Sequence, residues 1–454
     1  MAAHTRGREA HVVVDLTFGD AGKGTITDFL ARTRPVHTVI RFNGGAQAGH
    51  NVVAPDGRHH TFSQFGSATF IPGVRTHLSR YMILNPLSML VEERALNALG
   101  VIDALERTSI SAEALVITPF QRAANRLREI SRGEGRHGSC GMGIGETQAD
   151  SQLLGRAVVR AGDLRDLTTL RRKLGWLQVH KRGQMRDTIE RCRSFPVAAE
   201  EIRQLEDVGI IDAYLEQLEP FVGRADVIPD YFLEGVLRRT GDVVFEGAQG
   251  VLIDEWRGFD PYTTWSTCTF KNAFDLLREY GYGGSIAKIG VVRAYASRHG
   301  PGPFVTEDAD LGAAIPDLHN RMDDWQRNFR VGWFDAVSTR YAIAACEGVD
   351  SLAVTGFDRL RDIPEWKVCE AYETTQGRME DIPLGPARDL SYQTALTGSL
   401  MKAKPVYRVS ASAERFETRV DQHIVQIEAQ IGVPVRIASF GPTADDKKVL
   451  RGTR

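Results

Sequence analysis

Apolar positions along the chain follow two rhythms. Short β-branched runs at His11 to Leu16, His37 to Phe42, Asp242 to Phe245, Ile286 to Ala294, Ser351 to Val354 and Val435 to Ala438 have the length and composition of buried strands. After the first run Ile26, Phe29 and Leu30 recur at helical spacing, so this stretch predicts strand, glycine loop and helix. From about residue 164 to 223 the chain turns charged and leucine-rich, with Leu167, Leu170, Leu174 and Leu177 on one helical face, and predicts a mostly helical insertion. Strands so dispersed predict an α/β class: one large unit over 1–454 around a central, mostly parallel sheet. No fixed-period repeat, low-complexity tract or linker interrupts it.

The glycines cluster where strands give out, which is where ligands bind in open α/β sheets. Gly19-Asp20-Ala21-Gly22-Lys23-Gly24 opens the first helix, a P-loop-NTPase-like arrangement in which backbone N–H groups and a lysine surround phosphate. It is not a standard P-loop, which wants Gly at Thr17 and Ser or Thr at Gly24. A carboxylate inside such a loop is repelled by phosphate unless it ligates Mg²⁺ or exchanges a proton, so Asp20 points to chemistry. The second strand ends in Asn43-Gly44-Gly45-Ala46-Gln47-Ala48-Gly49-His50, where His50 is placed to give a proton or hydrogen bond to a phosphoryl oxygen. Gly138-Ser139-Cys140-Gly141-Met142-Gly143-Ile144-Gly145 is a third anion cradle, with no base nearby that makes Cys140 a nucleophile.

Composition narrows the partners. With 454 residues and a formal net charge of -2, no global positive field favours nucleic acid. The five cysteines are scattered and form no C-x-x-C pair, as suits a reducing cytosol. The first ten residues lack the apolar stretch of a signal peptide, and nowhere do about 18 apolar residues run together, so the expectation is a cytoplasmic protein without a membrane span.

Taken in order, these loops resemble the adenylosuccinate synthetase family, whose G-D-E-G-K-G and G-G-x-N-A-G-H motifs read here G-D-A-G-K-G and G-G-A-Q-A-G-H. Phe245-Glu246-Gly247-Ala248-Gln249-Gly250, Gly290-Val291-Val292-Arg293-Ala294-Tyr295, Gly332-Trp333-Phe334-Asp335 and Ser439-Phe440-Gly441-Pro442 extend the resemblance over about Val12 to Asp446. It implies a GTP-dependent ligase that phosphorylates the six-oxygen of IMP and lets aspartate displace phosphate, usually as a homodimer with Mg²⁺. Asp20 then resembles the base that takes the purine N1 proton, and His50 the acid that assists phosphoryl transfer. Gly19, Gly22, Lys23, Gly24, Asp358, Ser439, Gly441 and Pro442 match the GTP site, Asp358 being the carboxylate that selects guanine. Asp20, Gln47, Ser139, Cys140, Arg156, Gln249 and Thr264 match the purine-nucleotide site, Arg156 reaching it across the dimer interface. Asp20 and Gly49 match the metal ligands, and His299, Asn328 and Arg330 stand at the amino-acid site.

The chain departs from the family around the substrates. Gly356 replaces the lysine that packs on guanine, Cys140 a threonine and Met142 an arginine of the 5′-phosphate loop, and Trp265 a small residue beside Thr264. Asn328 and Phe329 replace two arginines before Gly332-Trp333, and His299 a small apolar residue. Two other readings follow: a paralogue acting on a different amino acid or purine-like nucleotide, and a non-catalytic nucleotide-binding regulator. Retention of both Asp20 and His50 disfavours the regulator. Relatives that take a 2-amino purine lack the loop aspartate, so Asp20 implies a hypoxanthine-like acceptor.

Overall fold

The structure, a computed structural model, describes residues 8–133, 139, 141–315, 329–409 and 415–450. Its centre is a ten-stranded sheet. In chain order the strands are β1 (Glu9–Asp15), β2 (Val36–Arg41), β3 (Arg75–Leu78), β4 (Thr108–Ser111), β5 (Asp226–Ile228), β6 (Asp242–Gly250), β7 (Ser285–Arg293), β8 (Ser351–Thr355), β9 (Val435–Ser439) and β10 (Lys447–Val449). In space they run β10-β9-β8-β7-β1-β6-β2-β3-β4-β5, and every neighbouring pair is parallel except β9 with β10.

Both faces of the central strands are covered, which is why they read as unbroken apolar runs. On β1, Val12 and Val14 enter one core while Val13 enters the other, against Ile26, Phe29 and Leu30 of the helix α1 (Lys23–Thr33). Val243 and Phe245 alternate with Val244 in the same way on β6. A third core lies under helices Leu167–Gln184, Ala199–Glu206 and Ile210–Val222; the first two pack on the helix Pro119–Arg132 and the last on the helix Pro86–Ala98. Leu170, Leu174 and Leu177 are fully buried there, on the order of 5–9 kcal/mol of transfer free energy before entropy. Leu167, the first helical residue after the Asp166 cap, is half exposed instead.

Strands β3, β4 and β5 are short, and β3 and β4 are largely polar (Arg-Thr-His-Leu and Thr-Ser-Ile-Ser), so no apolar run announces them. They are buried because their polar groups pair across the sheet, as His77 Nδ1 does with Ser109 Oγ at 3.0 Å.

Candidate active site

The carboxyl ends of β9, β8, β7, β1, β6 and β2 lie side by side, carrying Ser439, Thr355, Arg293, Asp15, Gln249 and Arg41. At about 4.8 Å per strand this row spans roughly 24 Å, enough for two nucleotides laid along one edge.

The first glycine loop leaves β1 and folds around Asp15. That buried carboxylate accepts from the N–H groups of Thr17 (2.8 Å), Gly19 (3.3 Å) and Ala21 (2.7 Å), and from Lys23 Nζ (3.2 Å). Lys23 Nζ also donates to the Gly19 carbonyl at 2.7 Å, so the ammonium is fixed at the opening of α1, where backbone donors converge. Gly19 has φ +113, and a Cβ there would stand 3.2 Å from the Gln249 backbone. A Cβ on Gly24 would stand 2.8 Å from Cβ of His50. Glycine is required at both places because the first loop lies against the Gln249 backbone and the start of α1 lies against His50 and Ser67.

Asp20 sits in this loop with a quarter of its side chain exposed, 3.7 Å from Nε2 of His299. Burial pushes its carboxyl above the usual range and Asp15 adds to this, while His299, Arg293 and Lys23 pull it back. A carboxylate whose proton affinity is raised in a cleft is suited to general-base work nearer neutral pH.

The second loop delivers His50 at the start of the hairpin strand His50–Val53. Its Nδ1 lies 2.6 Å from Oε1 of Glu246, which comes up β6, 196 residues away. Glu246 is fully buried and also accepts from the Ser67 N–H at 3.0 Å and the Ser67 hydroxyl. Despite burial it stays ionised, held down at about 2 chiefly by His50 and by Arg41, whose Nε is 4.0 Å away. Burial, and then Arg41, push His50 down to about 4 against the pull of Glu246. The ring is therefore neutral near pH 7, with Nδ1–H donating to the carboxylate and Nε2 presenting a lone pair. That Nε2 is buried without a partner, and so are both amide atoms of Gln47 in the same loop. A buried polar group left unpaired costs about 1–3 kcal/mol, so three such atoms in one loop mark a surface that a ligand completes.

Asn43 holds the loop against β6: its Nδ2 donates to the Ala248 carbonyl (2.9 Å) and its Oδ1 accepts from the Ala248 N–H (2.7 Å). Gln249, at φ +62, donates through Nε2 to Thr264 Oγ1 at 3.0 Å, so these two expected purine-site residues are in contact. Ser139 Oγ accepts from Asn125 Nδ2 at 3.1 Å. Gly145 backs onto the Trp265 indole, where a Cβ would meet the ring at 3.2 Å. Arg156 is exposed and lies 3.4 Å from Glu113. Cys140 and Asn328 lie outside the described residues.

At the other end of the row, the Thr355 hydroxyl donates to the Ala21 carbonyl at 2.6 Å and ties β8 to the first loop. Asp358 follows, its carboxyl raised by burial and drawn back by Arg359 and Arg293. Ser439 Oγ donates to the Gly441 carbonyl (3.0 Å), and Thr25 Oγ1 to the Pro442 carbonyl (2.9 Å), which brings that loop onto α1. Carboxylate and carbonyl oxygens are the hard donors Mg²⁺ takes; Asp20 of the first glycine loop and the exposed Gly49 of the second supply that type.

Arg330 sits on the strand Phe329–Gly332, paired with Ala296–His299. Its Nε and Nη2 donate to Glu307 (3.0 and 2.8 Å) and its Nη1 to the carbonyls of Gly300 and Gly302 (3.0 and 3.1 Å). Four of five N–H donors are thus used within the chain. His299 packs on Phe329 with ring centroids 4.9 Å apart.

Sequence reasoning named no role for Asp15, Arg41 or Glu246. The available signal was a charge inside an apolar buried strand, Val-Val-Phe-Glu-Gly and Val-Ile-Arg, since such charges survive only when paired.

The sequence profile described as "Adenylosuccinate synthetase" matches residues 12–447. The chain is 32% identical to the adenylosuccinate synthetase of Acaryochloris marina, covering 97% of this chain and 94% of that one. It is 36% identical to that of a Cyanothece species, covering 82% and 79%. Among solved structures it resembles a fully ligated adenylosuccinate synthetase from Plasmodium falciparum, with TM-score 0.78 and 20% identity over 97% of this chain and 99% of that one. A cyanophage succinoaminodeoxyadenylate synthetase bound to dGMP and dATP aligns with TM-score 0.58 and 18% identity over 98% and 96%.

Proposed function

The chain belongs to the adenylosuccinate synthetase family of GTP-dependent ligases, and on that premise we propose that it joins aspartate to C6 of IMP through a 6-phosphoryl intermediate. One observation carries the reading: Asp20, Lys23 and the His50–Glu246 pair stand together at the adjoining ends of β1, β2 and β6.

An oxygen on the purine six carbon is a poor leaving group until it is phosphorylated. Asp20 takes the N1 proton of IMP, which places negative charge on the six-oxygen and makes it a nucleophile. The first-loop amides and Lys23 hold the β- and γ-phosphates in line with that oxygen. Phosphate arriving at the unpaired Nε2 of His50 favours the imidazolium. Glu246 stabilises the second ring proton, so Nε2–H then donates to the phosphoryl group. Aspartate displaces phosphate from C6. Mg²⁺, held by Asp20 and the Gly49 carbonyl when bound, neutralises phosphate charge. Gln47, Ser139, Gln249 and Thr264 hold the purine nucleotide, with Arg156 reaching it from a second copy in a homodimer. Asp358 accepts from guanine N1 and N2, and Ser439, Gly441 and Pro442 cover the base. Among the described residues no helix is long and apolar enough to cross a membrane, and a cytoplasmic location is part of the same reading.

The commitment of Arg330 to Glu307 favours a second reading, in which the chemistry is kept and a different amino acid or purine nucleotide is joined. The cyanophage relative, described with dGMP and with dATP as energy donor, indicates that this fold accommodates such changes. Purified protein incubated with IMP, GTP, Mg²⁺ and aspartate decides between them by ultraviolet absorbance and mass. Adenylosuccinate supports the first reading. GDP release only with another amine or nucleotide supports the second, and no turnover across a panel of amines and nucleotides sinks both.

A further inference from the structure

The apolar stripe of the helix Leu167–Gln184 runs through Leu170, Leu174 and Leu177, and the next position on that face is Lys181. Its side chain is fully buried. A charge where the pattern calls for leucine survives only with partners, and Lys181 has three. Nζ donates to Oε2 of Glu146 at 2.7 Å and to Oε1 of Gln184 at 2.9 Å, and it lies 2.8 Å from Oδ1 of Asp150.

Glu146 and Asp150 stand one turn apart on the helix Ile144–Leu154, so the ammonium grips that helix at two points. The helix Pro119–Arg132 holds both carboxylates from the other side: Glu146 accepts from Arg128 Nε at 2.6 Å, and Asp150 from Gln121 Nε2 at 3.0 Å. The gripped helix begins after Gly143, at φ +88, where the third glycine loop ends, and Gly145 in its first turn backs onto Trp265. Asn125 and Arg126 of the helix Pro119–Arg132 meet the same loop, at Ser139 Oγ (3.1 Å) and at the Gly141 carbonyl (3.1 Å). The far end of the gripped helix turns at Gly155 into the exposed Arg156.

A buried ion pair exchanged for well-packed apolar side chains of similar volume is often neutral or stabilising, so stability does not account for this lysine; what it fixes is orientation. We propose that Lys181 is a positioning residue for the purine nucleotide. Through Glu146 and Asp150 it sets where the helix Ile144–Leu154 begins, and so where the third glycine loop presents its donors to the nucleotide's phosphate. This rests on the function proposed above. The helical insertion thereby serves substrate binding through a side chain that touches no substrate.

The test is equilibrium binding of IMP and GTP to the full-length protein, wild type against a charge-free variant that combines Lys181→Met, Glu146→Gln and Asp150→Asn. This variant keeps the side-chain volumes and leaves no carboxylate of the cluster unpaired. With native circular dichroism, it weakens IMP about ten- to a hundredfold and changes GTP by less than about threefold. A merely structural role loosens the whole molecule and weakens both nucleotides alike, and that result overturns the proposal. Unchanged IMP affinity in the folded variant also overturns it. If the variant does not fold, Glu146→Gln alone decides, since Asp150 still holds the lysine: IMP weaker by about threefold or more supports the proposal, and unchanged IMP affinity overturns it. Should the wild type bind GTP and no IMP, the proposed acceptor falls and takes this proposal with it. If the wild type binds both and the variant binds them as tightly, the proposal alone falls.

Discussion

Glu246→Gln separates the chemistry of His50 from its position. Glutamine keeps the shape of the buried side chain and still accepts from Nδ1, but it carries no charge to stabilise an imidazolium. A hydrogen bond to a charged group contributes about 1.5–3 kcal/mol, and neutral acceptors contribute roughly half of that. Losing the difference, about 0.75–1.5 kcal/mol, in the transition state slows phosphoryl transfer by about three- to tenfold. The same change strands Arg41, which is fully buried with its Nε and Nη2 unpaired and Nη1 on the Phe65 carbonyl at 3.0 Å. Breaking a buried ion pair from one side costs about 3–5 kcal/mol, so the denaturation midpoint falls by several degrees as well. Single-turnover GDP formation with IMP, measured below that midpoint on protein whose circular dichroism is native, reads the chemical step alone. Expected are a rate constant lower by at least about threefold and a GTP KM changed by less than about twofold. A folded Glu246→Gln protein with the wild-type rate would refute the role given to the pair.

Asp20→Ala removes the proposed base and metal ligand, so turnover falls below detection while GTP binding measured by titration persists; undiminished turnover rules out the mechanism. Acid stability gives an independent check of the buried histidines. Burial pushes His77 down to about 4 from an ordinary 6.5, so the unfolded chain binds a proton that the folded chain refuses. Its contribution is fully present above pH 6.5 and is lost as pH falls towards 4, about 3 kcal/mol in all. His77→Asn, which still meets Ser109, flattens this part of the profile, and urea midpoints at pH 7 and 4.5 that drop equally in both proteins contradict the reasoning.

Much of the site was legible because its parts are local. The first glycine loop joins β1 to α1 within nine residues of sequence, Asp15 to Lys23, and its glycines are demanded by positive φ and by contact with the neighbouring loop. The central strands were legible because both faces are covered and their runs are largely apolar. What escaped depends on long-range pairing. Glu246 meets His50 from 196 residues away, and only the fold makes them a pair. Polar β3 and β4 carry no period that distinguishes them from loop until His77 and Ser109 are brought together. Arg330, matched to the amino-acid site by its place in the chain, is also held by Glu307 and two backbone carbonyls, a pairing that only the fold reveals.

The central claim is that the six-oxygen leaves as part of phosphate, and labelled substrate tests it directly. IMP carrying ¹⁸O at the six position is turned over with GTP, Mg²⁺ and aspartate, and the inorganic phosphate is analysed by mass. The account predicts one ¹⁸O in each phosphate released. Unlabelled phosphate alongside product formation would contradict the 6-phosphoryl route, and with it the roles assigned to Asp20 and His50.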